Sequence, residues 1–302
     1  MTEDIQKAVD LLRRGELVGM PTETVYGLAG DATNSKAIAK IYATKGRPSF
    51  NPLIIHGYGV SQLEGVAVFT QVAYDLAERF WPGPLTLVLQ RRLDSPIDLL
   101  ASGGLSTIAL RIPQHPTALA LLKAFDKLVA APSANLSNKI SPTTREMVLR
   151  DFPDLYVLEG GSSQVGLEST IIDLSEGIPT LLRPGGIAIE EIQEVVGNVH
   201  LYQGSDVTAP GMLKKHYAPQ HPLRLNASEK HAGEIFIGFG KILDADLNLS
   251  PSGDLTEAAS NLYHMLNQAD DMAMDAGIAV SPIPLEGLGV AINDRLARAA
   301  AK

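Results

Sequence analysis

Four cations carry most of the chemical interest of this chain. Lys45 and Arg47 straddle Gly46 and precede Pro48, just ahead of the apolar run Leu53–Ile55. Arg111 sits inside the apolar run Ile108–Ile112, and Arg183 opens the turn Pro184-Gly185-Gly186. Glycine and proline fix the backbone at such turns and leave the charges to meet something anionic. An arginine fork suits bidentate contact with phosphate or carboxylate, whereas a lysine acts as a point charge. A solvated turn is the ordinary alternative for Lys45 and Arg47. Arg111 is costly if buried without a partner, so either a carboxylate of this chain or an anionic ligand must satisfy it. Gathered in one place, the four cations would suit a triphosphate.

Short polar side chains accompany them. Thr22 and Thr24 flank Glu23 after Pro21 and offer hydroxyls to a turn or to a ligand. His56 closes an apolar run, either held on a backbone partner or facing a ligand at a strand end, where open α/β sheets bind theirs. Pro132-Ser133-Ala134-Asn135, with Ser137 and Ser141, is a loop rich in hydroxyls, although these are also ordinary turn residues. Ser169 follows Glu168 at the start of a strand, and Arg183 precedes a helix whose N-terminus would favour phosphate. The chain has no G-x-S-x-G elbow, Walker A sequence or G-x-G-x-x-G. A serine hydrolase is therefore not indicated, and any nucleotide occupies an unorthodox site.

The elements that must position these groups interleave without strict alternation. Caps and helical spacing predict helices over 2–14, 34–44, 70–80, 116–125, 143–152 and 187–196. Short apolar runs predict strands over 17–20, 53–56, 85–90, 107–112, 128–131, 156–158, 169–174 and 180–182. This pattern implies an α/β fold with an open, mixed, twisted sheet flanked by helices over residues 1–202. Residues 203–222 hold three prolines, two glycines and no period, as a linker does. Residues 223–302 read as a small C-terminal α/β (Rossmann-like) domain, with strands over 223–226, 235–238 and 278–282 and helices over 254–275 and 288–301.

Composition sets outer bounds. The 302 residues include no cysteine and carry a net charge of −9. Disulfides, thiolate zinc sites and cysteine nucleophiles are excluded, and overall acidity disfavours a broad nucleic-acid face. No apolar run is long enough for a membrane span. The first fifteen residues are mixed in charge, which does not read as a secretory signal. A cytoplasmic protein without membrane contact is expected. No carboxylate cluster marks a metal cage, so no metal ligands are assigned.

The ordered segments PTETVYGL (21–28), KGRPSFNPLIIH (45–56), STIALRIP (106–113), APSANLS (131–137), GLESTIID (166–173) and LLRPGG (181–186) resemble the YrdC-like threonylcarbamoyl-AMP synthase family. APGMLKKHYAP (209–219) and GLGVAINDRLARAA (287–300) resemble its longer, two-domain branch. The resemblance implies condensation of L-threonine, bicarbonate or carbon dioxide, and ATP with magnesium. The products would be threonylcarbamoyl-AMP and pyrophosphate, the former passing to downstream tRNA threonylcarbamoyl-transferase proteins. Carried over by motif, Thr22, Thr24, His56, Arg111 and Ser169 would hold threonine. Lys45, Arg47, Asn51, Thr107, Ser133, Asn135, Ser141 and Arg183 would hold ATP. Lys45, Arg47 and Arg111 would serve the reacting centre. Tyr217 would close over the ATP, within a lid that includes Lys214, Lys215 and His216. Two alternatives remain at this point: an RNA-binding module of the same fold, with direct tRNA contact, and a carbamoyl-transfer maturation enzyme.

Overall fold

The computed structural model describes residues 2–204, 209–211, 216–273 and 276–301. The chain begins α1 (Glu3–Arg13), β1 (Val18–Met20), β2 (Gly27–Asp31), α2 (Ser35–Lys45), β3 (Ile54–His56), α3 (Val60–Glu64), α4 (Gln71–Phe80), β4 (Leu85–Gln90) and β5 (Thr107–Arg111). It continues α5 (Pro116–Phe125), β6 (Val129–Ala130), α6 (Arg145–Asp151), β7 (Tyr156–Val157), β8 (Thr170–Asp173), β9 (Thr180–Arg183), α7 (Ile189–Val196) and β10 (His200–Leu201). Then follow β11 (Leu223–Arg224), β12 (Ile235–Gly238), β13 (Leu247–Asn248), α8 (Leu255–Met272), β14 (Ile278–Val280) and α9 (Leu288–Ala299). Among the described residues no helix is long and apolar enough to cross a membrane.

Strands β1 to β10 form one mixed sheet in the order β10-β9-β8-β4-β5-β3-β6-β2-β1-β7. Both parallel pairs, such as β3 with β5, and antiparallel pairs, such as β4 with β5, occur. Local chemistry starts the helices where the sequence places them. Thr2 Oγ1 accepts from Ile5 N–H at the head of α1, and Asn34 Oδ1 accepts from Lys36 N–H at the head of α2. Each cap satisfies a backbone donor that the first turn leaves free.

Strand β2 is absent from the sequence expectations, and its composition explains why. Gly27-Leu28-Ala29-Gly30-Asp31 shows no alternation, yet all five residues are buried. Its glycines mark close approach, because a Cβ on Gly30 would stand 3.0 Å from Leu17 Cδ2 and 3.1 Å from Ile41 Cδ1. A buried strand with small residues against large ones reads as a loop in sequence.

The second sheet is wholly parallel, in the order β11-β14-β12-β13. Helices α8 and α9 cover it, and this unit packs onto the first. Val25, Leu167 and Tyr217 share one apolar cluster with Leu262, Tyr263, Leu266 and Ile292. Gly166 permits the approach: a Cβ there would lie 2.5 Å from Ser260 Cα. Helix α8 therefore rests directly on the backbone that leads into β8.

Candidate functional site

The site forms where strands of the large sheet end. β3 and β5 run parallel, and their final residues, His56 and Arg111, are register partners. The loop after β6 brings in Ser133, which bridges to Gly27. Ser169 immediately precedes β8, and Arg183 ends β9. These termini line a cavity that is partly open to solvent. Its wall includes Thr22, Thr24, Arg47, His56, Arg111, Ser133, Ser169, Arg183 and Tyr217 from the sequence expectations.

The three arginines on the wall are all under 10% exposed. Arg47 is clamped from behind: Nη2 donates to Asn51 Oδ1 (2.6 Å) and the Pro52 carbonyl (2.9 Å), and Nε donates to the Asn51 carbonyl (3.1 Å). Burial lowers its pKa to about 10, still far above neutrality. Arg111 donates from Nη2 to Glu23 Oε1 (2.6 Å) and from Nε to the Gly83 carbonyl (3.2 Å). Arg183 holds the Ser169 carbonyl from both Nε (3.2 Å) and Nη2 (2.8 Å), and donates from Nη1 to the Pro210 carbonyl (3.1 Å). Three guanidiniums buried around one cavity are expensive to desolvate, which an anionic occupant offsets.

The polar neutral groups are also pre-set. Thr22 Oγ1 donates to the Val25 carbonyl (2.6 Å) and lies 2.9 Å from Thr24 Oγ1. Ser169 Oγ is 2.7 Å from Thr86 Oγ1. His56 Nδ1 lies 3.1 Å from the Ile54 carbonyl. Burial first, and then the neighbouring Arg111 charge, push its pKa down to about 3, so the ring is neutral at physiological pH.

Five expected residues stand off the wall. Lys45 Nζ donates to the carbonyls of Ser133 and Asn135, both at 2.5 Å, and so braces the loop from beneath. Burial first, with Arg47 nearby, depresses its pKa. Asn51 serves Arg47 as described. Asn135 Nδ2 ties the Leu136 and Lys139 carbonyls, leaving its buried Oδ1 without a partner. Ser141 donates to Glu168 Oε1 at 2.6 Å. Thr107 begins β5, pairs with Gln90 and lies about 13 Å along the strand from Arg111 at the usual rise per residue. Lys214 and Lys215 fall outside the described residues.

The cavity also has components without an expected role: Glu168 and Gly211 line it, and Glu23 stands behind Arg111. His216, expected in the lid, lines it as well. His216 is buried with Nδ1 unpartnered, its ring centroid is 4.0 Å from that of Tyr217, and burial lowers its pKa to about 3. Tyr217 adopts a positive φ of 64°, and its ring stacks on Tyr263 at 5.6 Å. Glu168 accepts from Tyr263 and Arg295 of the C-terminal unit.

Fold and site together define a class: mixed-sheet α/β proteins with a cation-walled cavity at the strand ends of the large sheet. Residues 10–185 match the Sua5/YciO/YrdC family model, described as telomere recombination. Residues 187–301 match the model of the threonylcarbamoyl-AMP synthase C-terminal domain. The chain is 40% identical to the threonylcarbamoyl-AMP synthase of Pyrococcus abyssi, over 98% of this chain and 93% of that one. It is 40% identical to the enzyme of the same name from Bacillus subtilis, over 98% and 92%. A crystal structure of P. abyssi Sua5 complexed with L-threonine superposes with a TM-score of 0.91 at 37% identity, covering 99% of this chain and 95% of that chain. This chain belongs to the Sua5/YciO/YrdC family and has its two-domain form.

Proposed function

We infer that this chain is a threonylcarbamoyl-AMP synthase, an adenylyl-transferring enzyme that makes the precursor for a tRNA modification. Full-length identity to synthases of that name supports the activity. The observation that carries it on the site itself is the convergence of Arg47, Arg111 and Arg183 with Thr22, Thr24, Ser133 and Ser169 on one cavity. Such a wall suits two anionic substrates at once.

Threonine would lie against Arg111 through its carboxylate, with Thr22, Thr24, His56 and Ser169 reading the remaining polar groups. ATP would lie against Arg47, Arg183 and the Ser133 loop that Lys45 and Asn135 hold in place. Asn51 would act through Arg47, and Ser141 through Glu168. Tyr217 and His216 close one side. The free-base threonine amine adds to carbon dioxide: the N–C bond forms, a C=O π bond opens, and an N–H proton passes to solvent, leaving a carbamate. A carbamate oxygen then bonds the α-phosphorus, the bond from that phosphorus to the bridging β-phosphate oxygen breaks, and pyrophosphate leaves. Both reactants are anions, so positioning and fixed positive charge matter more than a strong base. Among the described residues, the hydroxyls of Thr22 and Ser169 on the wall are engaged in hydrogen bonds of their own, in keeping with direct transfer.

Magnesium fits only as an ion carried by the nucleotide. Among the described residues no group of three or more acidic or histidine side chains could cage a metal. Glu168, the acid on the wall, already uses both carboxylate oxygens. Magnesium commonly keeps waters and phosphate oxygens as ligands, and it would supply further charge neutralisation on the phosphates.

The test is pyrophosphate release from ATP and magnesium, with threonine and bicarbonate omitted singly. Release that requires both is expected. Release indifferent to threonine would remove the assignment. Identity over nearly the whole chain to synthases favours this reading over the carbamoyl-transfer and RNA-binding alternatives.

A further inference from the structure

Glu168 sits where a carboxylate is least welcome. It is 7% exposed and, among the described residues, is the only acid on a wall built for anions. Its Oε1 accepts from Ser141 Oγ (2.6 Å), while its Oε2 accepts from the Tyr263 hydroxyl (2.8 Å) and from Arg295 Nε (2.8 Å). The last two donors come from α8 and α9 of the C-terminal unit. Arg295 is fully buried. Its other donors go to Asp294 Oδ2 (2.6 Å) and to the Pro184 carbonyl (2.9 Å) beside Arg183. Its guanidinium also lies 5.2 Å from the centre of the Tyr217 ring. Asp294 is in turn paired with Arg298, so Glu168 draws on Arg295 without leaving a net charge in the interface.

A bare carboxylate at this point would repel a polyphosphate across a low-dielectric gap. Protonation would relieve the repulsion but would alter the bonds to Ser141 and Tyr263. Burial by itself favours the protonated acid; the Arg295 and Arg183 charges outweigh it and hold the Glu168 pKa at about 2. The acid therefore stays ionised, and its direct ion pair comes from outside the catalytic domain.

We propose that Arg295 is a positioning residue of the nucleotide site: it neutralises Glu168 and holds it on Ser141, so the cavity accepts polyphosphate only when the C-terminal domain is docked. Arg295 is absent from the cavity wall and acts through Glu168. The C-terminal domain thereby completes the charge of the site as well as covering it. The inference rests on the reading of the cavity as an ATP site.

Equilibrium binding of ATP to the full-length chain, measured by calorimetry, tests it without turnover. Arg295→Met is expected to weaken ATP binding by about tenfold or more, as loss of one member of a buried charge pair does, with much less effect on L-threonine. Arg295→Lys should recover most of the loss. Adding Glu168→Gln to Arg295→Met should also recover it, a rescue that a purely structural arginine would not give. Melting curves accompany each variant. If Arg295→Met does not fold, Glu168→Gln alone decides, with ATP affinity expected at or above wild type and a weaker affinity counting against the proposal. A folded Arg295→Met that binds ATP like wild type, or one not rescued by Glu168→Gln, overturns it. Wild type that binds no ATP removes both this inference and the nucleotide reading; wild type that binds ATP with an unaffected variant removes this inference alone.

Discussion

Arg111 shows how far single residues can be read. An arginine inside an apolar strand demands a counter-charge, and that demand was legible. The sequence left open whether a protein acid or a ligand would answer it, and the structure supplies Glu23 at 2.6 Å through one guanidinium nitrogen. One Glu23 oxygen remains buried without a partner, so the pair is incomplete. Replacing Arg111 with Ala should lower kcat/KM for threonine by about 100-fold, and should destabilise the fold by about 3 kcal/mol by leaving Glu23 unpaired in the interior. Pyrophosphate release against threonine concentration, with a denaturant melt, checks both. A variant with unchanged threonine dependence would dismiss Arg111 as a carboxylate anchor. Glu168 was harder to read because its partner Arg295 lies 127 residues away. Pairings at that separation depend on docking of two units, which no local pattern encodes. Thr107 illustrates the opposite limit. The resemblance of its motif assigned it to ATP, but four residues of extended chain carry it away from Arg111 and the cavity wall.

At the scale of elements, helices and apolar strands were legible because caps and periodicity are local. The helix expected over 116–125 is α5, Pro116–Phe125, and the strand expected over 235–238 is β12, Ile235–Gly238. The two-residue strands β10 and β13, and the glycine-bearing β2, were not legible, since each is defined by what it lies against. The same logic makes Gly185 informative. A Cβ there would stand 2.3 Å from the Glu168 carbonyl and 2.4 Å from Thr170 N, and none of these backbone atoms can yield without moving the start of β8. Gly185→Ala should therefore separate the turn after β9 from Ser169, break the Arg183 bonds to its carbonyl, and cost about 3 kcal/mol, at the upper end of overpacking. Loss of both stability and pyrophosphate release is expected; a variant that melts and turns over like wild type would show that the approach is not required. Asn34→Ala tests positioning more gently. It removes the cap of α2, the helix that ends at Lys45, and should cost about 1 kcal/mol in a thermal melt, with catalysis largely retained.

For the whole molecule, the two buried histidines and Glu168 link stability to pH in one direction. His56 and His216 each have a folded pKa of about 3, lowered chiefly by burial, against an unfolded value of about 6.5. Between those two values the unfolded chain binds more protons than the folded one, so stability falls as pH falls. The contribution is fully present above about pH 6.5 and gone below the folded values. Glu168 acts on a lower window: burial would raise its pKa, the Arg295 and Arg183 charges hold it at about 2, and the unfolded value is about 4.3. Its contribution is present above the unfolded value and lost as pH drops towards 2. The fold should therefore be stable and nearly pH-independent from neutrality upward through these groups, and should weaken steadily on acidification below about pH 6.5. His56→Gln should flatten the upper part of that decline, whatever it does to threonine binding, because its effect is read in melting temperature against pH. An unchanged slope in that variant would mean that His56 binds protons alike in the folded and unfolded chain, and the burial-lowered pKa assigned to it on the threonine side of the cavity would have to be abandoned.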